Sequence, residues 1–307
     1  MKNLRLRLGS RMPVILDGGT ATELQRRGWA LSAPMWSSDA LLSFDGQTDV
    51  IDIHKSYIEA GADIITTNTF RTNKKSVIER GVDISPQDLV DTSVSLVKSA
   101  IEESSVPDRR IYIAGSLAPM GDAYEPKLAP NSETMEAEHS DSIDNLCRVG
   151  VDFVLAETMN TWCEAKIIGK LCREKNVPFV ISFVCDDHGL LLSGENHSCL
   201  QDFVEEYDPL ALSVNCTSLP NTIQALDRFS MLTDVPLGAF PNVEDRSDPL
   251  KCEQRNTYVK PNISTRQFSE FMAECSSRYN LSLLGGCCGT TPDYIRVLRE
   301  LVDTGVI

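Results

Sequence analysis

Residues 59–70, with the sequence EAGADIITTNTF, contain the junction that decides the fold. An amphipathic stretch ends at Gly61, and glycine readily adopts the positive φ of a helix C-cap. A short run rich in β-branched residues follows at once and ends in the polar residues Thr67 and Asn68. A helix that turns tightly into such a strand is typical of a βα unit in a parallel sheet.

The same order recurs along the chain, where eight short β-branched runs are separated by longer segments of helical periodicity. Glycine or asparagine also precedes later runs, in RVGVD at 148–152 and in REKNVP at 173–178. Eight strands alternating with helices predict an α/β fold, a single-domain (β/α)8 TIM barrel. A doubly wound sheet is the alternative, because the number of strands does not show whether the sheet closes. The runs are Val14–Gly19, Asp63–Phe70, Ile111–Ala118, Asp152–Thr158, Pro178–Cys185, Leu210–Cys216, Pro236–Asn242 and Leu281–Gly289, and the main helical segments are Val50–Ala60, Pro86–Ser104, Ser132–Val149, Cys163–Lys175, Asn221–Leu232, Thr265–Tyr279 and Pro292–Val302.

Length, composition and charge restrict the class of protein. The 307 residues, 42% hydrophobic and 24% charged, are enough for one large core, and we predict a single domain over residues 1–307. The net charge of −15 argues against a nucleic-acid partner, because nucleic-acid binders carry basic patches. No apolar stretch reaches the ~18–20 residues of a membrane helix, and the start lacks a signal-peptide pattern. We therefore expect a cytoplasmic protein without membrane contact.

The ten cysteines are expected to be mostly reduced thiols, because the chain has no secretion signal and can build a core without disulfides. Seven of them occur singly and are expected to be small buried hydrophobes or surface thiols. These seven are Cys147, Cys163, Cys172, Cys185, Cys199, Cys252 and Cys275.

Polar side chains end most of the predicted strands. In a barrel of this kind the active site lies at the carboxyl ends of the strands. A barrel interior is normally filled by aliphatic side chains, so carboxylates and thiols there need a ligand, a metal or each other to offset the loss of water. The strand-end residues are Asp17, Thr67, Asn68, Ser116, Glu157, Thr158, Asn215, Cys216, Asn242, Cys287 and Cys288.

Three of these residues form a candidate metal site. Cys216 ends the sixth predicted strand, and Cys287 and Cys288 end the eighth, so only one strand separates them in a closed barrel. Three thiolates suit Zn²⁺, whose catalytic sites keep three protein ligands and one open position. The Cys287–Cys288 pair has two other interpretations, a pair of buried thiols or a strained vicinal disulfide.

Several motifs, taken together, resemble the homocysteine S-methyltransferase family over nearly the whole chain. The most specific is Gly285-Gly286-Cys287-Cys288-Gly289-Thr290, together with Asn215-Cys216. The other elements fall in the same order and at the same strand ends. They are Asp17-Gly18-Gly19 with Thr22-Glu23-Leu24, Thr67-Asn68-Thr69-Phe70, Gly115-Ser116 with Pro119, Glu157-Thr158, and Pro241-Asn242.

This resemblance implies a homocysteine-binding barrel domain that carries a zinc ion. Cys216, Cys287 and Cys288 correspond to the zinc ligands of the family. Asp17 and Glu157 correspond to the acidic residues that hold the amino group of homocysteine. Asn68 and Ser116, at neighbouring strand ends, complete the predicted substrate-binding set.

The implied reaction moves a methyl group from a small donor to the thiol of homocysteine, giving methionine. Zinc would supply the thiolate that homocysteine, like other thiols of pKa near ~8.5, lacks at neutral pH. S-methylmethionine and S-adenosylmethionine are the favoured donors, ahead of betaine-like compounds or a methylcobalamin protein. Trp36, Phe70 and Tyr124 are candidates to face a cationic donor, with simple packing as the alternative.

Other interpretations of the same residues stay open at this point. Asp17 could cap a helix over Thr20–Arg27, and Glu157 could pair with a loop arginine. The zinc could be structural, with His188 or His197 as a fourth ligand, or the barrel could bind thiols without catalysis. The polar loops 121–131 and 244–262 are candidate lids or interface segments, and the oligomeric state is open.

Overall fold

Eight parallel strands form one sheet in the order β1-β8-β7-β6-β5-β4-β3-β2. The structure, a computed structural model, describes residues 2–10, 12–244 and 258–307. Each strand pairs with its neighbours in continuous parallel register, apart from one irregularity between β4 and β5. The strands are β1 (Val14–Ile15), β2 (Ile64–Thr66), β3 (Tyr112–Leu117), β4 (Phe153–Met159), β5 (Phe179–Phe183), β6 (Ala211–Asn215), β7 (Leu237–Phe240) and β8 (Leu283–Leu284).

The sheet closes between its first two strands. A parallel bridge joins Leu16 to Ile64, and the Asp17 amide donates to the Ile64 carbonyl over 3.1 Å. On the other side of this bridge, the Asp63 amide donates to the Ile15 carbonyl over 2.7 Å. These bonds confirm the predicted (β/α)8 TIM barrel and make the doubly wound alternative wrong.

Helices follow the strands and cover the outside of the barrel. The predicted helix-end turns are confirmed, with φ of 118° at Gly61, 82° at Gly150 and 54° at Asn176. The helices are α1 (Lys2–Leu8), α2 (Thr20–Arg26), α3 (Phe44–Ala60), α4 (Lys74–Arg80), α5 (Pro86–Glu103), α6 (Ser132–Val149), α7 (Trp162–Glu174), α8 (Leu200–Tyr207), α9 (Leu219–Leu232), α10 (Thr265–Tyr279) and α11 (Pro292–Asp303), with 3-10 turns at Trp36–Leu42 and Pro126–Leu128.

Two layers of apolar side chains make up the core. The larger cluster lies between the strands and the surrounding helices, and a smaller one fills the barrel interior. Leu4 and Leu8 of α1 belong to the interior cluster together with Val14, Ile64 and Phe153. Helix α1 therefore covers the amino-terminal end of the barrel, which leaves the carboxyl-terminal end for a ligand.

No helix within the described ranges is long and apolar enough to cross a bilayer. None of the nine cysteines that the structure describes forms a disulfide, and Cys252 lies outside the described residues.

Two aspartates hold the register at the amino-terminal end of the barrel. Asp63 accepts from the Ile15 amide over 3.0 Å and pairs with Arg299 at 2.7 Å, with both side chains largely buried. Asp152 likewise accepts from the Ile113 amide over 2.8 Å, but its partner Arg110 is 70% exposed. The same aspartate–arginine pair is therefore shielded from water next to β1 and exposed to water next to β3.

We expect Asp63→Asn to destabilise the protein by about 3 kcal/mol, because the largely buried Arg299 guanidinium loses its buried counterion and keeps only the exposed Asp303, 3.5 Å away. Asp152→Asn is the matched control and should cost about 1 kcal/mol or less, since water already screens that pair. Urea unfolding followed by circular dichroism measures both. Equal midpoints for the two variants would contradict the prediction.

Candidate active site

Three thiols meet at the carboxyl-terminal end of the barrel. The Cys216 Sγ lies 2.9 Å from the Cys287 Sγ and 3.7 Å from the Cys288 Sγ, and all three sulfurs fall within 4.8 Å of one another. These separations exceed the ~2.05 Å of a disulfide bond. The 3.7 Å separation matches the ~3.8 Å edge of a tetrahedron with metal–sulfur bonds of ~2.3 Å, and the 2.9 Å separation is shorter than that edge. The cluster could therefore hold a metal ion.

A turn of the backbone after β6 orients the Cys216 thiol. Cys216 follows β6 directly and has a φ of 51°, in the left-handed region. Threonine 217 holds this turn, since its hydroxyl donates to the Asn215 carbonyl over 2.8 Å and accepts from the Cys185 amide over 3.1 Å. A non-glycine residue in this region costs about 1–3 kcal/mol and is typical of functional sites.

The turn after β8 depends on close packing as well as on backbone freedom. A Cβ atom at Gly286 would lie 2.3 Å from the Thr290 hydroxyl, and Gly289 has a φ of +82°. The Thr290 hydroxyl donates to the Cys287 carbonyl over 2.6 Å, and the Cys288 amide donates to the Asn242 side chain over 3.1 Å. Adjacent cysteines can therefore face the same point.

Neither candidate fourth ligand reaches the thiols. Among the described residues, the metal-ligating group contains Cys216, Cys287 and Cys288 alone. His188 is 74% exposed, and His197 is buried against Trp162 and other aromatic rings with its Nε2 2.8 Å from the Gly189 carbonyl. The prediction that His188 or His197 is the fourth ligand of a structural zinc site is therefore wrong.

Asp17 lies at the rim beside β2 and does not cap a helix. Its two carboxyl oxygens accept from the Thr66 amide and the Thr66 hydroxyl, each over 2.8 Å. The N-cap of α2 is Gly19, which makes no side-chain capping bond, so the capping interpretation is wrong. Burial raises the pKa of Asp17 to about 7. The partner Thr66 lies one residue before the predicted strand end, and the sequence analysis missed it.

Glu157 is the second carboxyl group of the site and is partly buried. Its Oε1 accepts from the Ser116 hydroxyl over 2.5 Å, and burial raises its pKa to about 7. The negative charge of Asp17 adds to this shift. None of the ion pairs among the described residues includes Glu157, so the predicted alternative of a loop arginine fails. Two carboxyl groups with raised pKa in one cleft are typical of a binding or catalytic site.

The other predicted substrate residues also line the cleft. Asn68 donates to the Ser37 carbonyl over 2.9 Å, and its own carbonyl accepts from the Ser38 hydroxyl, which ties the first 3-10 turn to the rim. The Ser116 hydroxyl is already bonded to Glu157. Both residues therefore shape the cleft through contacts with other protein groups.

Thr158 and Asn215, which are not in the predicted substrate-binding set, are joined by two hydrogen bonds. The Asn215 side chain accepts from the Thr158 amide over 2.9 Å and donates to its hydroxyl over 3.0 Å. Thr158 has a φ of 61°, so this bond holds a strained turn at the end of β4 against the end of β6. The asparagine immediately before Cys216 was the available sequence signal.

A cleft of about 970 Å³ opens above the thiols and the two carboxyl groups. Its volume is in the ~300–1,000 Å³ range of small-molecule sites. The candidate aromatic residues Trp36, Phe70 and Tyr124 all line it, and the Trp36 and Phe70 rings lie 5.9 Å apart. Loop 121–131 contributes to the wall, whereas residues 245–257 of the second predicted loop lie outside the described residues.

Comparison with known proteins gives the family. Residues 14–302 match the family model described as homocysteine S-methyltransferase. The chain belongs to the homocysteine S-methyltransferase family. The predicted family and enzyme class are thereby confirmed.

Individual relatives agree with this assignment. A homocysteine S-methyltransferase of Escherichia coli is 26% identical, over 96% of this chain and 97% of that protein. A selenocysteine methyltransferase of Astragalus bisulcatus is 28% identical, over 95% of this chain and 93% of that protein. The crystal structure of the E. coli homocysteine methyltransferase MmuM in its metallated form is 26% identical, with a TM-score of 0.79 and coverage of 97% of this chain and 99% of that chain.

Replacing Glu157 by glutamine should stabilise the metal-free, ligand-free protein at high pH. The folded pKa of about 7 lies above the ordinary value of 4.5, so the wild-type protein loses stability as pH rises from about 4.5 through 7. Glu157→Gln removes that loss, which amounts to about 3 kcal/mol at pH values above about 8. Urea midpoints measured at acidic and alkaline pH test the difference.

Glu102→Gln, on the exposed face of α5, is the matched control and should change neither midpoint. If Glu157→Gln and wild type unfold at the same urea concentration at pH values above about 8, the carboxyl group is not held in a desolvated environment.

Proposed function

We propose that the chain is a zinc-dependent methyltransferase that moves a methyl group from a small sulfonium donor to the thiol of homocysteine, giving methionine. The observation that carries this proposal is the convergence of three thiols on one point, with no fourth protein ligand among the described residues. An open position above a three-thiolate cluster suits a metal that must bind a substrate sulfur.

The residues fit zinc by their chemistry. Cys216, Cys287 and Cys288 would hold the ion, and thiolates are the ligands that select zinc over magnesium or calcium. Bound zinc would lower the pKa of a coordinated homocysteine thiol, so that the sulfur is deprotonated at neutral pH. The relative crystallised in a metallated form supports a metal in this fold.

Asp17 and Glu157 would hold the ammonium group of homocysteine. Asp17 is buried and Glu157 is partly buried, and neither belongs to an ion pair among the described residues. A bound ammonium would supply a positive charge and favour the ionised carboxylates. Thr66 and Ser116 fix the carboxyl oxygens through their hydroxyl groups, while Asn68 holds the adjacent wall.

In the chemical step the protein orients the two reactants and excludes water, and no protein group has to transfer a proton. The bond between the donor sulfur and its methyl carbon breaks, with its electron pair staying on the donor, as the homocysteine sulfur bonds the methyl carbon. The thiol proton has left for solvent beforehand. Anion and sulfonium become two neutral thioethers, so a cleft that excludes water favours the step.

A sulfonium donor is supported by the charge and lining of the cleft. The chain carries a net charge of −15, and Trp36 and Tyr124 present aromatic surface where a cation would enter. S-methylmethionine and S-adenosylmethionine are the favoured donors. Betaine-like compounds and a methylcobalamin protein are the alternatives in a screen with homocysteine as acceptor.

Replacing one ligand by alanine should remove most of the bound zinc and nearly all methyl transfer, because two thiolates hold the metal more weakly and in a different geometry. Cys287→Ala and Cys216→Ala should behave alike. Cys147→Ala, at an exposed single cysteine, is the control and should keep both properties. Zinc is measured by atomic emission and methionine formation by mass spectrometry. Full activity in Cys287→Ala would refute the metal assignment.

Asp17→Asn should weaken the binding of homocysteine on the order of 10- to 100-fold while zinc content stays the same, since a charged contact is lost. Mercaptobutanoate, which lacks the amino group, should bind the variant and the wild type equally. Calorimetric titration of the zinc-loaded proteins measures both ligands. An equal loss for both would show that Asp17 shapes the cleft and does not recognise the ammonium.

A further inference from the structure

Arg71 is a cation in the cleft that the metal and acceptor assignments do not use. It follows β2 and lines the cleft with its side chain half-buried. Its Nη1 donates to the Pro119 carbonyl over 3.0 Å, and its guanidinium carbon lies 5.2 Å from the centre of the Phe70 ring. None of the ion pairs in the described part of the chain includes Arg71.

No carboxylate of the described residues lies within ion-pair distance of the Arg71 guanidinium, and the negative charges of Asp122 and Glu164 act on it from further away. The guanidinium has five N–H donors, and the Pro119 carbonyl is the single protein acceptor that the described residues provide. Burial lowers the pKa of Arg71, which reflects the cost of keeping the charge out of water. A carboxylate binds such a group through two parallel hydrogen bonds and offsets that cost.

The position of Arg71 also restricts which cations can enter. Its guanidinium lies over one face of the Phe70 ring, so that face already contacts a cation. A sulfonium that brings only positive charge would be repelled by Arg71. A sulfonium that also carries a carboxylate would bring the missing anion with it.

We propose that Arg71 binds the carboxylate of an amino-acid sulfonium donor and so selects donors such as S-methylmethionine over sulfonium compounds without a carboxylate. This inference rests on the proposed methyl transfer. In the closed sheet order β2 lies four strands from β6, so Arg71 lies across the barrel from Cys216. Homocysteine carries a carboxylate of its own, so the position of Arg71 across the barrel from the thiols, and not the assignment of the amino group, is what places Arg71 with the donor.

The competing explanation is a purely structural one, in which Arg71 supports the loop after β3 through Pro119. That loop has an independent support, because the Met120 amide donates to the buried Glu164 carboxylate over 2.6 Å, and His139 contacts the same oxygen at 2.7 Å. A structural role would affect every donor equally, whereas carboxylate recognition affects only donors that carry the group.

The test compares two donors on two proteins. The donors are S-methylmethionine and its decarboxylated analogue, an aminopropyl dimethylsulfonium, and the proteins are zinc-loaded wild type and Arg71→Gln. Dissociation constants come from calorimetry and methyl transfer to homocysteine from mass spectrometry. Arg71→Gln should weaken the binding of S-methylmethionine on the order of 100-fold. The binding of the analogue should stay the same or tighten by up to about threefold, because a repelling charge is removed. Arg71→Lys should fall between, because it keeps the charge and loses the planar fork. Arg110→Gln, with the same charge change on an exposed side chain, is the control.

The outcomes separate this inference from the proposed function. Equal losses for both donors, no loss for either, or failure of wild type to bind S-methylmethionine would overturn the assignment to Arg71. A change confined to the KM for homocysteine would also overturn it, by placing Arg71 at the acceptor. Carboxylate-dependent binding without any methyl transfer would support Arg71 as a carboxylate site and overturn the methyltransferase proposal.

Discussion

The site depends on barrel closure, because side chains from distant segments meet only where parallel strands end at one rim. The bridge between Leu16 and Ile64 closes the sheet and brings Asp17 beside β2. The ladders from β6 through β8 bring Cys216 to Cys287 and Cys288. The left-handed turn at Cys216 then aims its thiol inward at a cost of about 1–3 kcal/mol, which the hydrogen bonds of Thr217 help to offset.

In the cleft without a ligand, the carboxyl groups of Asp17 and Glu157 and the guanidinium group of Arg71 are not paired with each other. Loss of water raises the pKa values of Asp17 and Glu157 to about 7. Among the described residues, neither carboxyl group forms an ion pair, and no carboxylate lies within ion-pair distance of Arg71. Their segments follow different strands, so they do not neutralise one another. In the proposed assignments, the ammonium group of homocysteine supplies the positive charge and the carboxylate of the donor supplies the negative charge, so the cleft favours amino-acid ligands. Helix α1 covers the opposite end of the barrel and confines this chemistry to one face.

Several elements could be predicted from the sequence because their signals are local. Gly61, Gly150 and Asn176 end helices with the positive φ that their residue types favour. Other boundaries were missed. Helix α3 begins at Phe44, six residues before the predicted start at Val50, because the Ser43 hydroxyl caps the Gly46 amide within a polar stretch of loop-like composition. β8 contains only Leu283–Leu284 of the longer predicted run, since the glycines beyond it form the turn that carries the thiols.

Sequence alone determined the repeated βα pattern, the polar strand ends and the three cysteines with their two carboxylate companions, because period, turn residues and family motifs are local features of the chain. Tertiary structure decided which of these residues touch. Thr66 reaches Asp17, Asn215 holds Thr158, and Arg71 lies in the cleft over Phe70. Each of these contacts joins different segments of the chain or depends on the direction of a side chain. Such contacts follow from closure and strand register, which no local pattern encodes.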